Sequence, residues 1–240
     1  MTTNTIHHEQ VAALHGADTP VYTRWSYRDD EPFAVTVAFC SERGRWVEWV
    51  FARELLVTGL DEPAEEWPPD HELLASVASA GQSPTDVAPS RFGPPVSPHQ
   101  AAELAGTTLE PLELVRAAKA AGERADVLVC EGVGGLMVPL TSGYLIRDFA
   151  LDLDLPLLVA ARPGLGTINH TLLTVEAART AGLDVRAIVL TPWPADPGHL
   201  EDSNRETIAS LGDVDVVILR HTTESELVQA GESLPLDNWL

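Results

Sequence analysis

Val127-Leu-Val-Cys-Glu-Gly-Val-Gly-Gly135 and Leu157-Leu-Val-Ala-Ala-Arg-Pro-Gly-Leu-Gly-Thr-Ile-Asn-His170 decide how this chain is read. Each opens with an unbroken apolar run and breaks into a glycine turn. Strands buried on both faces read as continuous apolar runs, whereas half-exposed strands alternate. Ala187-Ile-Val-Leu190 and Val216-Val-Ile-Leu219 repeat the pattern. Helical segments lie between them. Residues 168–181 carry Ile168, Leu172 and Val175 at helical spacing, and Gly182 stands at the C-cap position. Ser97-Pro98-His99-Gln100 has the form of a capping box with proline at the first helical position. Strands alternating with helices specify an α/β fold with a parallel sheet.

Upstream of about residue 60 the pattern differs. Phe33, Val35, Val37 and Phe39 alternate with Ala34, Thr36 and Ala38, as in a half-buried strand. After Ser41-Glu-Arg-Gly44, a second alternation carries Val47, Trp49 and Phe51. The two runs are expected to form a small antiparallel β-hairpin. Residues 1–19 are polar and unpatterned, a disordered tail in which His7 and His8 carry no metal site. The expected organisation is therefore a tail over 1–19, a hairpin segment over 20–57 and an α/β domain over 58–240.

Fifteen basic residues against 36 acidic ones leave a net charge of −21. That balance argues against binding nucleic acid through its phosphates, which requires clustered cations. Cys40 and Cys130 sit in apolar runs without CxxC partners and read as buried thiols of a reducing compartment. No apolar run approaches the length of a membrane span, and residues 1–10 lack a secretory pattern. The expectation is a cytoplasmic protein with no membrane partner.

Two of the turns can carry chemistry. Glu131 follows a buried strand, where ligands of open α/β sheets bind, and the glycines after it let backbone amides approach an anion. It is either a Mg²⁺ ligand or an exposed residue of a tight turn. Gly164 and Gly166 precede a helix start, which is an anion site or an ordinary turn capped by Thr167. His170, beside that start, reads as a packed or capping histidine. Asp70, after Trp67-Pro-Pro69, is a helix N-cap or a second carboxylate for the same cation.

Longer strings extend these readings. Glu66-Trp-Pro-Pro-Asp-His-Glu-Leu-Leu74, Arg91-Phe-Gly-Pro-Pro-Val-Ser-Pro-His99, Glu131-Gly-Val-Gly-Gly135 and Gly164-Leu-Gly-Thr-Ile-Asn-His-Thr-Leu-Leu173 resemble dethiobiotin synthetase. So do Leu190-Thr-Pro-Trp-Pro194 and Ser203-Asn-Arg-Glu-Thr207. The resemblance implies a P-loop NTPase-like sheet with flanking helices. It also implies carboxylation and ureido ring closure of 7,8-diaminononanoate with CO2 and ATP, in a homodimer. By the same resemblance Asp70 and Glu131 would hold Mg²⁺, and Thr58, Gly134 and Gly135 would contact substrate. Gly166, Thr167, Ile168 and Asn169 would bind the substrate carboxylate across the dimer interface, and Thr191 would lie by the adenine.

The chain departs from that family at its front. No segment fits GxxxxGK[ST], and the single lysine, Lys119, lies within a helical stretch. Glu54 stands where the resemblance implies a catalytic lysine, so no catalytic residue is intact. Trp25-Ser-Tyr-Arg-Asp-Asp-Glu-Pro-Phe33 and Val47-Glu-Trp-Val-Phe-Ala-Arg-Glu-Leu-Leu56 instead resemble the SsgA-like sporulation and cell-division regulators. Two functions follow as expectations: a dethiobiotin synthetase without turnover as an isolated chain, or a non-enzymatic regulator or chimeric relic. A hairpin cannot replace a strand–helix–strand unit, so the sheet is expected to lack its central strand unless something else covers the gap.

Overall fold

The computed structural model describes residues 36–42, 50–54, 56–61, 68–78, 81–123, 125 and 127–239. Of residues 36–42 and 50–54 it describes the backbone course. The expected tail, and with it Phe33, Val35, Val47 and Trp49 of the alternating runs, lies outside the described residues.

The α/β class holds. Strands β1 (Thr36–Glu42) and β2 (Val50–Glu54) precede helices α1 (Asp70–Val77), α2 (Pro84–Val87), α3 (Pro98–Leu104) and α4 (Pro111–Gly122). Next come β3 (Val127–Glu131), the short strands β4 (Pro139–Thr141) and β5 (Tyr144–Leu145), and α5 (Ile146–Leu153). Then β6 (Leu157–Ala161), α6 (Thr167–Ala181), β7 (Val185–Trp193), α7 (His199–Gly212) and β8 (Asp215–Arg220) alternate, and α8 (Leu227–Gly231) closes the chain. β6, β7 and β8 pair in parallel through helical crossovers. Their runs are continuous because both faces are covered. All five residues of β6 are buried.

One face of the sheet carries the main core. Leu128, Cys130, Val159, Ile188 and Leu190 meet Ala118, Phe149, Val175 and Ile208 from the helices there. On the other face Leu158, Ala160, Ala187, Val189 and Leu219 are covered by Leu234, Leu236 and Trp239. Burying each Val, Leu, Ile or Phe side chain among them is worth about 1.5–3 kcal/mol. The Cys130 side chain is buried, as expected. No helix among the described residues is long and apolar enough to cross a membrane.

The expected hairpin does not form. The six-stranded sheet runs β2-β3-β1-β6-β7-β8, so β3 stands between the two strands that were to pair. β1 is antiparallel to β3 on one side, with Phe39 opposite Cys130, and to β6 on the other, with Val37 opposite Val159. β2 is parallel to β3, with Ala52 opposite Val129. The reason is hydrogen bonding. A closed hairpin would leave β3 and β6 each with an unpaired row of backbone groups in the middle of the molecule. Splitting it around β3 satisfies both rows. The gap expected at the centre of the sheet is thus filled by a strand running backwards.

Two smaller expectations also change. Ser97 precedes Pro98, the first residue of α3, but its side chain makes no cap bond; its Oγ lies 3.0 Å from His99 Nδ1. A capping box forms one helix earlier, where Ser83 Oγ accepts the Asp86 N–H at 3.2 Å and Asp86 Oδ2 accepts the Ser83 N–H at 2.9 Å.

Ala38 is paired on both sides, with Glu131 and Leu158, so its N–H lies within a ladder whichever way it points. Ala38→Pro removes that donor and is expected to lower stability in urea by about 2 kcal/mol or more. An unchanged unfolding midpoint would show that β1 is not a central strand.

Candidate functional site

Ligands of open α/β sheets bind beyond the carboxyl ends of the strands. Here that edge is formed by the ends of β3 and β6, with the beginning of β1 between them. Glu131 lies opposite Ala38, and Ala160 opposite Thr36. Two strand spacings, about 10 Å, separate β3 from β6. The loops after β3 and β6 therefore leave from the same edge of the sheet. β1 ends at Glu42, opposite Val127, at the other edge of the sheet.

Glu131 ends β3 and is half-buried. Glu54, at the end of β2, is in register with it on the adjacent parallel strand. Beyond Glu131 the glycines serve the fold as well as any ligand. A Cβ at Gly132 would come within 2.9 Å of Ile146 Cγ2. Gly134 has a positive φ of 73°, and a Cβ there would meet Val138 Cγ2 at 2.9 Å. Both positions thus require glycine. The half-buried Gly135 accepts the Val138 N–H at 2.9 Å, which turns the chain back. Ile146 N–H to Val138 O and Arg147 N–H to Leu136 O then tie this loop to the start of α5. Asp148 fixes that start by accepting the Leu145 N–H at 2.8 Å. Burial works against its charged form, yet the Leu145 N–H and the Arg147 guanidinium hold its carboxyl below the usual range.

The second loop leads into α6. Gly166 occupies the N-cap with φ 90°, so Thr167 is the first helical residue rather than the cap. Thr167 is buried, its Oγ1 lies 3.2 Å from Thr171 Oγ1, and its N–H donates to Gly164 O at 3.2 Å. His170 N–H reaches Gly166 O at 3.3 Å. Among the described residues the N–H groups of Ile168 and Asn169 have no acceptor. Ile168 packs against the core, while Asn169 is exposed. Two open amides at the positive end of a helix form an anion-binding arrangement.

The remaining expected residues lie on separate elements. Asp70 is the first residue of α1, whose N-cap is Pro69, so the N-cap reading of Asp70 does not hold. It is half-buried, with one carboxylate oxygen buried, on a helix that packs on β2 and α2. Beside it His71 is buried, with Nδ1 unpaired among the described residues. Burial, then the Arg91 charge, holds its pKa below the usual value. Thr58 is half-buried in a short backbone ladder, where Phe92 N–H donates to Val57 O at 2.8 Å and Gly59 N–H to Pro94 O at 3.1 Å. Thr191 is buried near the end of β7 and is joined to Pro192 by a cis peptide bond. Lys119 is exposed in the last turn of α4. No group of three or more His, Cys, Asp or Glu gathers among the described residues. Asn204 entered the sequence reading only within a longer string; buried on α7, it donates to Pro163 O at 2.8 Å and Gly164 O at 3.1 Å.

The chain is similar to ATP-dependent dethiobiotin synthetases from several bacteria. The Anaeromyxobacter dehalogenans (strain 2CP-1) protein is 45% identical over 144 residues, covering 60% of this chain and 65% of the relative. That of Anaeromyxobacter sp. (strain K) is 43% identical over 153 residues, covering 60% and 69%. The Bacillus subtilis (strain 168) protein is 34% identical over 148 residues, covering 62% and 64%. The chain thus spans about two thirds of the length of these relatives. Residues 21–68 match a second family, described as Streptomyces sporulation and cell division protein, SsgA. That match overlaps the start of a match to the AAA domain family over residues 56–219. With its parallel sheet, its glycine loop behind Glu131 and its open helix start at Ile168 and Asn169, the chain belongs from residue 56 to residue 219 to the AAA domain family, among the dethiobiotin synthetases.

Proposed function

We propose that this chain is an ATP-dependent dethiobiotin synthetase of biotin biosynthesis by descent, which keeps the substrate half of the site and lacks the half that activates ATP. Its substrates would be 7,8-diaminononanoate and CO2. One observation carries the reading: the loops after β3 and β6 leave from one edge of the sheet, while the strand between them runs backwards.

In this reading the Ile168 and Asn169 amides hold the substrate carboxylate, with Gly166 and Thr167 shaping the turn. Gly134 and Gly135 flank the reacting end, Thr58 contacts substrate and Thr191 lies by the adenine. A Mg²⁺ ion would spread phosphate charge during transfer. The donor set fits such an ion, because Asp70 and Glu131 supply carboxylate oxygens and Mg²⁺ commonly takes one or two of these with water and phosphate.

The phosphates of ATP fit less well. A phosphate loop must leave its strand at the carboxyl edge of the sheet, and β1 leaves at the other edge. Phosphoryl transfer relies on positioning and charge stabilisation. Losing one preorganised donor costs about 3 kcal/mol. Here the loop, its lysine and its hydroxyl are missing together, and Glu54 adds negative charge in register with Glu131.

A homodimer is part of the same proposal. An open groove of about 540 Å³ between α5 and α6 is lined by Met137, Arg147, Leu151, Leu173, Glu176 and Ala177. Of these, Met137, Leu151 and Leu173 are exposed apolar residues, and Leu173 lies on the helix whose start would bind the carboxylate. Exposed apolar residues clustered in this way mark an interface. The setting is cytoplasmic in this proposal, with segments at 1–19, 20–57 and 58–240. The second reading, a sporulation or cell-division regulator, is favoured by the match over 21–68. Against it, β1 and β2 from that region use their ladders inside the synthetase sheet.

Incubated with ATP, Mg²⁺, bicarbonate and 7,8-diaminononanoate, the purified chain is expected to form no dethiobiotin above the uncatalysed rate. Turnover near that of an intact synthetase would overturn the lost-ATP reading. In sedimentation velocity the chain is expected to run as a dimer, and Leu173→Glu as a folded monomer with unchanged circular dichroism. A monomeric parent chain would remove the dimer from the proposal.

A further inference from the structure

We propose that Asn204 is a positioning residue, which holds the turn before α6 so that its amides face the ligand. The inference rests on the substrate-carboxylate reading of that helix start. Asn204 lies on α7, 5% exposed, far along the chain from the turn it touches. Its Nδ2 donates to two successive carbonyls, Pro163 O at 2.8 Å and Gly164 O at 3.1 Å.

Peptide planarity gives this contact a consequence beyond packing. In a trans peptide the C=O and the following N–H point in opposite directions. Fixing the Pro163 and Gly164 carbonyls on Asn204 therefore turns the N–H groups of Gly164 and Leu165 away from α7. Neither N–H has an acceptor among the described residues. The Gly164 carbonyl also takes the Thr167 N–H, so the turn and the first helical residue are held together. Gly166, at φ 90°, then carries the chain into the helix. The result is a turn whose carbonyls face inward and whose amides, with those of Ile168 and Asn169, stay open to an anion. A side chain without a donor at 204 would leave the buried Pro163 carbonyl unpaired and the Gly164 carbonyl with the Thr167 N–H alone, and the turn would rotate to find partners.

The test uses the full chain, isotopically labelled, with 7,8-diaminononanoate as the probe. Asn204→Leu removes the donor at similar volume, and Asn204→Ser keeps a single hydroxyl donor. Arg205→Ala, exposed on the same helix, is the control. Asn204→Leu is expected to weaken probe binding at least tenfold and to shift the amide resonances of residues 164–169. Amide exchange there should rise at least tenfold, while α7 keeps its protection. Asn204→Ser should fall between parent and Leu, and Arg205→Ala should match the parent. The proposal is overturned if the folded Leu and Ser variants both bind within twofold of the parent with unshifted resonances at 164–169. It is also overturned if exchange rises equally through α6 and α7, since that reports general loosening. If the parent itself does not bind the probe, the substrate-carboxylate reading fails. The resonances and exchange at 164–169 then still decide whether Asn204 orients the turn.

Discussion

The ladder that β1 makes on both sides is the constraint on which the rest depends. β3 and β6 stand two strand spacings apart, and only a strand between them makes one sheet of the two parallel pieces. β2 runs parallel to β3, and only a short stretch of sequence separates the end of β1 at Glu42 from the start of β2 at Val50. A parallel β1 would need a crossover of a dozen residues or more. Backbone satisfaction thus demands a strand, and chain length dictates that it run backwards.

That direction separates the fold from the chemistry. A reversed strand completes the backbone hydrogen bonding of β3 and β6. It does not keep its exit loop on the ligand side. The glycine loop after β3 and the turn before α6 are placed by their own strands and by local packing of Gly132 on Ile146 and Gly134 on Val138.

Much of this was legible in the sequence. Four unbroken apolar runs marked β3, β6, β7 and β8, because parallel strands covered on both faces leave no alternation to find. The stripe of Ile168, Leu172 and Val175 with Gly182 marked α6, whose C-cap glycine has φ 97°. Helix starts were less legible. Asp70, Ser97 and Thr167 all carry capping chemistry, yet none caps its helix, since the N-cap falls on Pro69 and Gly166 in two cases and the Ser97 hydroxyl lies beside His99 in the third. Whether a hydroxyl caps depends on its rotamer and neighbours, which residue type does not specify. The turn donor at Asn204 was likewise hidden, because its partners are about forty residues away in the chain.

By itself the sequence determined the α/β class, the family and the absence of a phosphate loop, all of which reside in local patterns and residue types. The tertiary structure alone decided that the alternating runs would not pair with each other, that β1 would take the central place in reverse, and that Leu234, Leu236 and Trp239 would cover the second face. Those outcomes depend on which unpaired edges and bare apolar surfaces the rest of the chain leaves open. Alternation records that a segment can form a strand. Its partner is chosen by the vacancy elsewhere in the sheet.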